Sequence, residues 1–177
     1  MRIISGIYKG KRLSAPKNLP VRPTTDFAKE GLFNILNSRI DFEGISVLDL
    51  CAGTGNISLE FASREASLVT SVDQDRGCIN FIRKTAEELN FNQIRVIRGD
   101  IFSVVKKSLG EYDVIFADPP FGIKGSKELP DEIIKSTLLK QDGIFIMEHP
   151  KDINYEQHEN LVLTRKFGNV HFSLFQH

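Results

Sequence analysis

From residue 45 to residue 148 the chain alternates two hydrophobic patterns. Short, nearly continuous apolar runs lie at 45–50, 68–73, 94–98, 112–118 and 143–148. Such runs are expected of parallel strands covered on both faces. Between them the apolar residues recur at helical spacing, which predicts helices to about Arg64, over 75–89, over 101–109 and over 131–139. After a polar stretch at 149–160 that carries no clear period, two alternating segments flank Gly168-Asn169 and predict a hairpin of 161–167 with 170–175. The front of the chain reads differently. Residues 2–14 predict a small β-hairpin bending between Gly6 and Gly10, and Pro16, Pro20 and Pro23 mark an irregular connector. A helix capped by Thr24 or Thr25 then runs to about Asn37, with Phe27, Leu32, Ile35 and Leu36 as its apolar face. Gly31 inside it is a mild cost.

Five βα units closed by an antiparallel hairpin define an α/β architecture. Right-handed crossovers place helices on both faces of a mostly parallel sheet. Two regions are expected: an extension at 1–40 and a main α/β domain at 41–177.

Composition adds little to this, but charge does. The net charge is zero, yet residues 1–40 hold eight lysines and arginines against Asp26 and Glu30, leaving 15 basic and 21 acidic residues behind them. A basic arm on an acidic body points to a polyanion held at one end, nucleic acid above all. Cys51 and Cys78 have no paired spacing, so a reducing cytoplasm is expected. The four histidines fall late without ligand spacing, so no metal site is expected. No apolar run approaches membrane-spanning length.

The first strand ends in Asp49-Leu50-Cys51-Ala52-Gly53-Thr54-Gly55-Asn56. Ala52, Gly53 and Gly55 permit a tight turn and close backbone approach to a ligand. Ser58 stands where a dinucleotide fingerprint wants glycine or alanine, and no Gly-Lys-Ser/Thr follows. The carboxylate of Asp49 is poorly suited to pyrophosphate and suits a sulfonium or ammonium group. Asp49, Asp73, Asp100 and Asp118 end successive strands at one edge of the sheet. Asp73 lies where an acidic residue accepts hydrogen bonds from ribose hydroxyls. Asp100 is placed to accept from an adenine amino group, with Ile101 near the ring. Asp118-Pro119-Pro120-Phe121 is a proline-locked corner. The Asp118 side chain and the Pro119 carbonyl can accept both hydrogens of an exocyclic amine, while Phe121 offers a face for stacking.

These segments resemble the motifs of class I S-adenosylmethionine-dependent methyltransferases that act on exocyclic amines. Arg2-Ile3-Ile4-Ser5-Gly6, Lys9-Gly10-Lys11-Arg12-Leu13 and Arg22-Pro23-Thr24-Thr25-Asp26 are similar to the opening of the RsmD family, as is Gly31-Leu32-Phe33-Asn34-Ile35-Leu36. That family methylates N2 of a guanine, named position 966, in 16S ribosomal RNA. The chain departs from it at Cys51-Ala52-Gly53-Thr54-Gly55, where Phe-Ala-Gly-Ser-Gly is common, and at Gly31, where alanine is usual.

The resemblance implies a Rossmann-like, seven-stranded sheet and S-adenosylmethionine as cofactor. Its methionine end would lie over Gly53 and Gly55, its amino group toward Asp49 or backbone carbonyls. Asp73 would hold the ribose and Asp100 the adenine, and Thr24 or Thr25 would close over it. The guanine N2 would meet Asp118 and Pro119, with Phe121 against the ring. Arg2, Lys9, Lys11, Arg12 and Arg22 would contact phosphates and set register. The expected partner is 16S ribosomal RNA, within the small subunit or an assembly intermediate, met by a cytoplasmic monomer. A DNA adenine-N6 or cytosine-N4 methyltransferase could use the same corner, but the front of the chain and the absence of a target-recognition domain speak against it. A non-catalytic RNA-binding scaffold is disfavoured by Asp118 and Phe121, and a nicotinamide oxidoreductase by Asp49 and Ser58.

Overall fold

The computed structural model describes residues 1–16, 19–20, 24–108, 110–120 and 122–177. In chain order these form α1 (Asp26–Asn37), β1 (Ser46–Leu50), α2 (Asn56–Ser63), β2 (Leu68–Asp73), α3 (Arg76–Glu88), β3 (Ile94–Arg98) and α4 (Ile101–Lys107). There follow β4 (Tyr112–Ala117), α5 (Leu129–Lys135), β5 (Leu139–His149), β6 (Leu161–Phe167) and β7 (Val170–Phe175). One seven-stranded sheet has the order β3-β2-β1-β4-β5-β7-β6. β1 to β5 pair in parallel, and β7 lies antiparallel between β5 and β6. The chain therefore switches direction of winding between β1 and β4, the place where open α/β sheets bind ligands beyond the carboxyl ends of their strands. This is the α/β sheet with an antiparallel hairpin that the sequence pattern predicts.

Alternation along the strands splits the core into two layers. Val47, Val69, Phe116, Ile146 and Phe172 face α1, α2 and α3. Leu48, Leu50, Ile115, Phe145 and Phe175 face α4 and α5. Ile3 and the buried face of α1 belong to the first layer, so the front of the chain shares the core of the sheet.

Four expectations need correction. The 2–14 hairpin reduces to one antiparallel bridge, Arg2 with Arg12, supported by Ile3 N to Lys11 O at 2.9 Å and Leu13 N to Met1 O at 3.0 Å. Gly10 N still crosses to Ile3 O at 2.8 Å, but other amides have partners on α2. Ile4 N and Ser5 N donate to the Glu60 carboxylate at 2.7 and 3.0 Å, and Ile7 N donates to Ser63 O at 2.8 Å. Second, α1 buries Ala28, Lys29, Leu32, Phe33 and Leu36, whereas Phe27 is 68% exposed. The helix is rotated because Lys29 has a buried acid to meet. Third, α5 ends at Lys135 rather than 139, because Leu138 and Leu139 are drawn into the core and Tyr112 N bonds Leu138 O at 2.7 Å. β5 accordingly starts at Leu139 and shifts register against β4 between Tyr112 and Val114. Fourth, Gly31 is no defect, since a Cβ there would lie 2.1 Å from the Phe167 ring of β6.

Candidate active site

The carboxyl ends of β1, β2, β4 and β5 converge on the glycine turn. Ala52 N donates to Val72 O at 2.8 Å, and Asp118 N donates to Leu50 O at 3.3 Å. The proline corner thus sits on the strand end that feeds the turn. Gly55 caps α2 in the left-handed region at φ 74°, and a Cβ there would lie 2.9 Å from Ile82. Only glycine meets both demands without strain.

Asp49 is buried beneath α2, where its Oδ2 accepts from Ser58 N at 3.0 Å and from the Ser58 hydroxyl. Its Oδ1 is buried without a partner. Desolvation, outweighing the Ser58 bonds, raises the Asp49 carboxyl to about 7. Asp73 Oδ2 accepts from Gly53 N at 2.7 Å and Oδ1 from Asp75 N at 2.8 Å. It fixes the turn while keeping lone pairs to spare. Asp100 caps α4 through Ser103 N at 2.9 Å and receives Gln74 Nε2 at 3.3 Å, while Ile101 is buried in the second core layer.

Asp118 and Glu148 end adjacent strands. Burial raises Asp118 to about 7. Burial, then the charge of Asp118, raises Glu148 to about 8 against the opposing hydrogen bond from Thr24. Thr24 Oγ1 donates to Glu148 Oε2 at 3.0 Å. Cys51, in the middle of these acids, is held far above its ordinary range, first by burial and then by Asp118 and Asp73. Burial is the leading cause of all these shifts, so the carboxyl groups gathered at this edge favour their neutral forms. Pro119 is buried and Pro120 exposed.

Three residues not singled out by sequence reasoning hold the front of the chain over this edge. Asn56 Nδ2 donates to Thr24 O at 2.8 Å, and its Oδ1 receives Lys29 Nζ at 2.9 Å. Lys29 Nζ also bonds Arg2 O at 2.6 Å and pairs with Glu60 Oε2 at 3.1 Å, with both side chains buried. Glu60 in turn receives Arg64 Nε at 3.0 Å. A lysine spaced with Leu32, Phe33 and Leu36 on one helical face was the legible signal. Asn56 offered none.

A family model described as Conserved hypothetical protein 95 matches residues 1–176. The chain belongs to that family. The ribosomal RNA small subunit methyltransferase D of Buchnera aphidicola subsp. Baizongia pistaciae is 32% identical over 180 residues, spanning 99% of this chain and 91% of that protein. Its namesake in Haemophilus influenzae is 30% identical over 182 residues, spanning 99% and 93%. Among solved structures, a candidate methyltransferase of Escherichia coli superposes with a TM-score of 0.84 at 25% identity, covering 99% of this chain and 96% of that one. The expected kinship with the RsmD family is therefore borne out, and so is the class I methyltransferase fold.

Within this member of the family, Asp49, Ala52, Gly53, Gly55, Asp73 and Asp118 converge on one strand edge, with Thr24 drawn in from the front. Asp100 lies beside Gln74 at the flank of that edge. Arg2, Lys9, Lys11 and Arg12 are exposed. Arg2 also pairs with Asp26 at 3.5 Å. Phe121 and Arg22 lie outside the described residues. Among the described residues no group of three or more His, Cys, Asp or Glu could hold a metal, and no helix is long and apolar enough to cross a membrane.

Proposed function

We propose that this protein transfers a methyl group from S-adenosylmethionine to the exocyclic N2 of a guanine in 16S ribosomal RNA, at the position named 966. The observation that carries the reading is the bond from Asp118 N to Leu50 O at 3.3 Å, which holds Asp118 to the end of β1, one residue before the glycine turn begins. It sets an amine-accepting corner beside the place where the donor belongs. The residues present fit that donor. The unpartnered Asp49 Oδ1 suits an ammonium group, and the half-buried, left-handed Gly53 leaves backbone open to close approach. Asp73 retains acceptor capacity for a ribose diol.

S-adenosylmethionine supplies an electrophilic methyl group on a sulfonium centre. The chain's own work is positional. The guanine leaves any stack to enter the pocket. Asp118 Oδ and the Pro119 carbonyl accept the two N–H bonds of N2, turning its lone pair away from the ring system. Phe121 supports the base. Alignment of this kind accounts for much of a barrier when the nucleophile is weak only through delocalisation. As the new N–C bond forms, nitrogen becomes acidic, and Asp118 is the adjacent base to take its proton. Residues 1–40 act as the RNA-binding extension on a methyltransferase domain at 41–177, with Lys9, Lys11, Arg12 and Arg22 on phosphates. The relatives' names favour RNA of the small subunit over DNA. On this reading the protein is a cytoplasmic monomer that meets this RNA on the subunit or an assembly intermediate. Incubation with isotopically labelled cofactor and 16S RNA, small subunits or DNA tests it. N2-methylguanosine in the digested RNA is expected; label in DNA, or on another base, would refute it.

A further inference from the structure

Phe27 is the most exposed of the large hydrophobic side chains among the described residues, at 68%. It stands on the first turn of α1, three residues after Thr24, which reaches Glu148 in the pocket. The ring is not loose. It meets Phe167 edge-on with centroids 5.9 Å apart, and Phe167 itself rests on Phe172 and fills the space left open by Gly31. Phe27 is therefore a supported plate with a bare face at the rim of the site.

Its surroundings set arginines beside two acids, Asp26 next to it and the exposed Glu30 one turn along α1. Asp26, the preceding residue, is met by Arg2, and these two with Met1 and Arg12 line a hollow of about 240 Å³. On the other side, Arg165 of β6 is exposed and shares a strand face with Phe167 by alternation. A bare aromatic face between guanidinium groups fits single-stranded nucleic acid, whose bases stack while its phosphates take the charge.

Resting on the RNA-methylating reading above, we propose that Phe27 is a stacking platform for an unpaired base next to the target nucleotide, with Arg2, Arg12 and Arg165 on the flanking phosphates. The RNA path then crosses α1 and reaches the β6–β7 hairpin, well beyond the basic arm. This gives the C-terminal hairpin a share in substrate binding.

The chain has no tryptophan, so Phe27→Trp introduces a single reporter. Single-stranded RNA carrying the target sequence and a fluorescent end label is titrated into the full-length protein, and binding is followed independently by anisotropy. Expected are saturable quenching of the tryptophan with the same midpoint as anisotropy, and a loss of affinity of about fivefold or more for Phe27→Ala that Phe27→Tyr restores. Tryptophan at Ile97, on the opposite edge of the sheet, should not be quenched. Anisotropy binding without quenching at Phe27→Trp, or equal affinities for all Phe27 variants, would overturn the platform. So would a tryptophan signal that follows protein concentration rather than RNA, which would assign the face to self-association. Methyl transfer by the wild-type protein is measured in parallel, so failure of the platform and failure of the enzymatic reading are separately visible.

Discussion

Thr24 Oγ1 donates to Glu148 Oε2 across 3.0 Å, joining positions 124 residues apart. Thr24 belongs to the basic front of the chain and Glu148 to the end of β5, beside Asp118. The bond ties the front segment to the carboxyl edge of the sheet. Asn56, which holds the Thr24 carbonyl from the start of α2, fixes it from the other side.

This pairing sets a pH dependence. Asp118 must be ionised to accept an amine proton, and its carboxyl is raised to about 7. The acid limb of kcat/KM is therefore expected near pH 7. Burial is what raises Asp118, and Glu148, raised to about 8, is largely neutral across that limb, so Glu148→Gln should leave the limb in place. A limb moved to lower pH would show that Glu148 carries charge there.

The same shifts govern stability, with a definite sign. Asp49 rises to about 7 in the folded chain from an ordinary 3.8. Between those values the folded state keeps a proton that the unfolded state has released, so stability falls as pH rises through the window. Asp49→Asn should raise Tm above pH 7 and lose that advantage in strong acid, as thermal melts across pH would show.

Lys29 and Glu60 form a buried pair beneath the front segment. Lys29→Met leaves Glu60 with an uncompensated share of charge and frees Arg2 O. A loss of about 3 kcal/mol is expected by denaturant titration, with Lys29→Met/Glu60→Gln recovering part of it.

Gly31→Ala should gain from helix propensity, by roughly 1 kcal/mol in an exposed helix. Here the added Cβ meets the Phe167 ring at 2.1 Å, and that ring is held by Phe27 and Phe172. The substitution is expected to lower Tm, and Phe167→Leu in the same chain to restore most of the loss.

Sheet, hairpin and glycine turn were legible because each carries a local signature. Continuous apolar runs mark β1, β2, β4 and the second half of β5, Gly168-Asn169 marks the last turn, and Pro119-Pro120 ends β4. What the sequence hid was long-range. The amides of Ile4 and Ser5 desert their hairpin for Glu60, 56 and 55 residues away. Phe27 reads as core on a helical wheel, yet the wheel is turned by Lys29, whose partner lies on another helix. Residues 136–139, up to the first residue of β5, read as helix because Leu138 and Leu139 continue an apolar period that only tertiary contact with Tyr112 breaks. At the site, the acidic strand ends were readable one by one. Their mutual effect on ionisation depended on a convergence that no single segment contains.

Under the proposed function, Asp118 aligns an amine for methyl transfer without being needed to hold the donor. Single-turnover methyl transfer to small-subunit RNA, measured for wild type and Asp118→Ala beside calorimetric cofactor affinity, tests it most directly. A rate loss of about a hundredfold or more is expected, with cofactor affinity changed by less than about threefold. An Asp118→Ala protein that transfers methyl groups at the wild-type rate would contradict it.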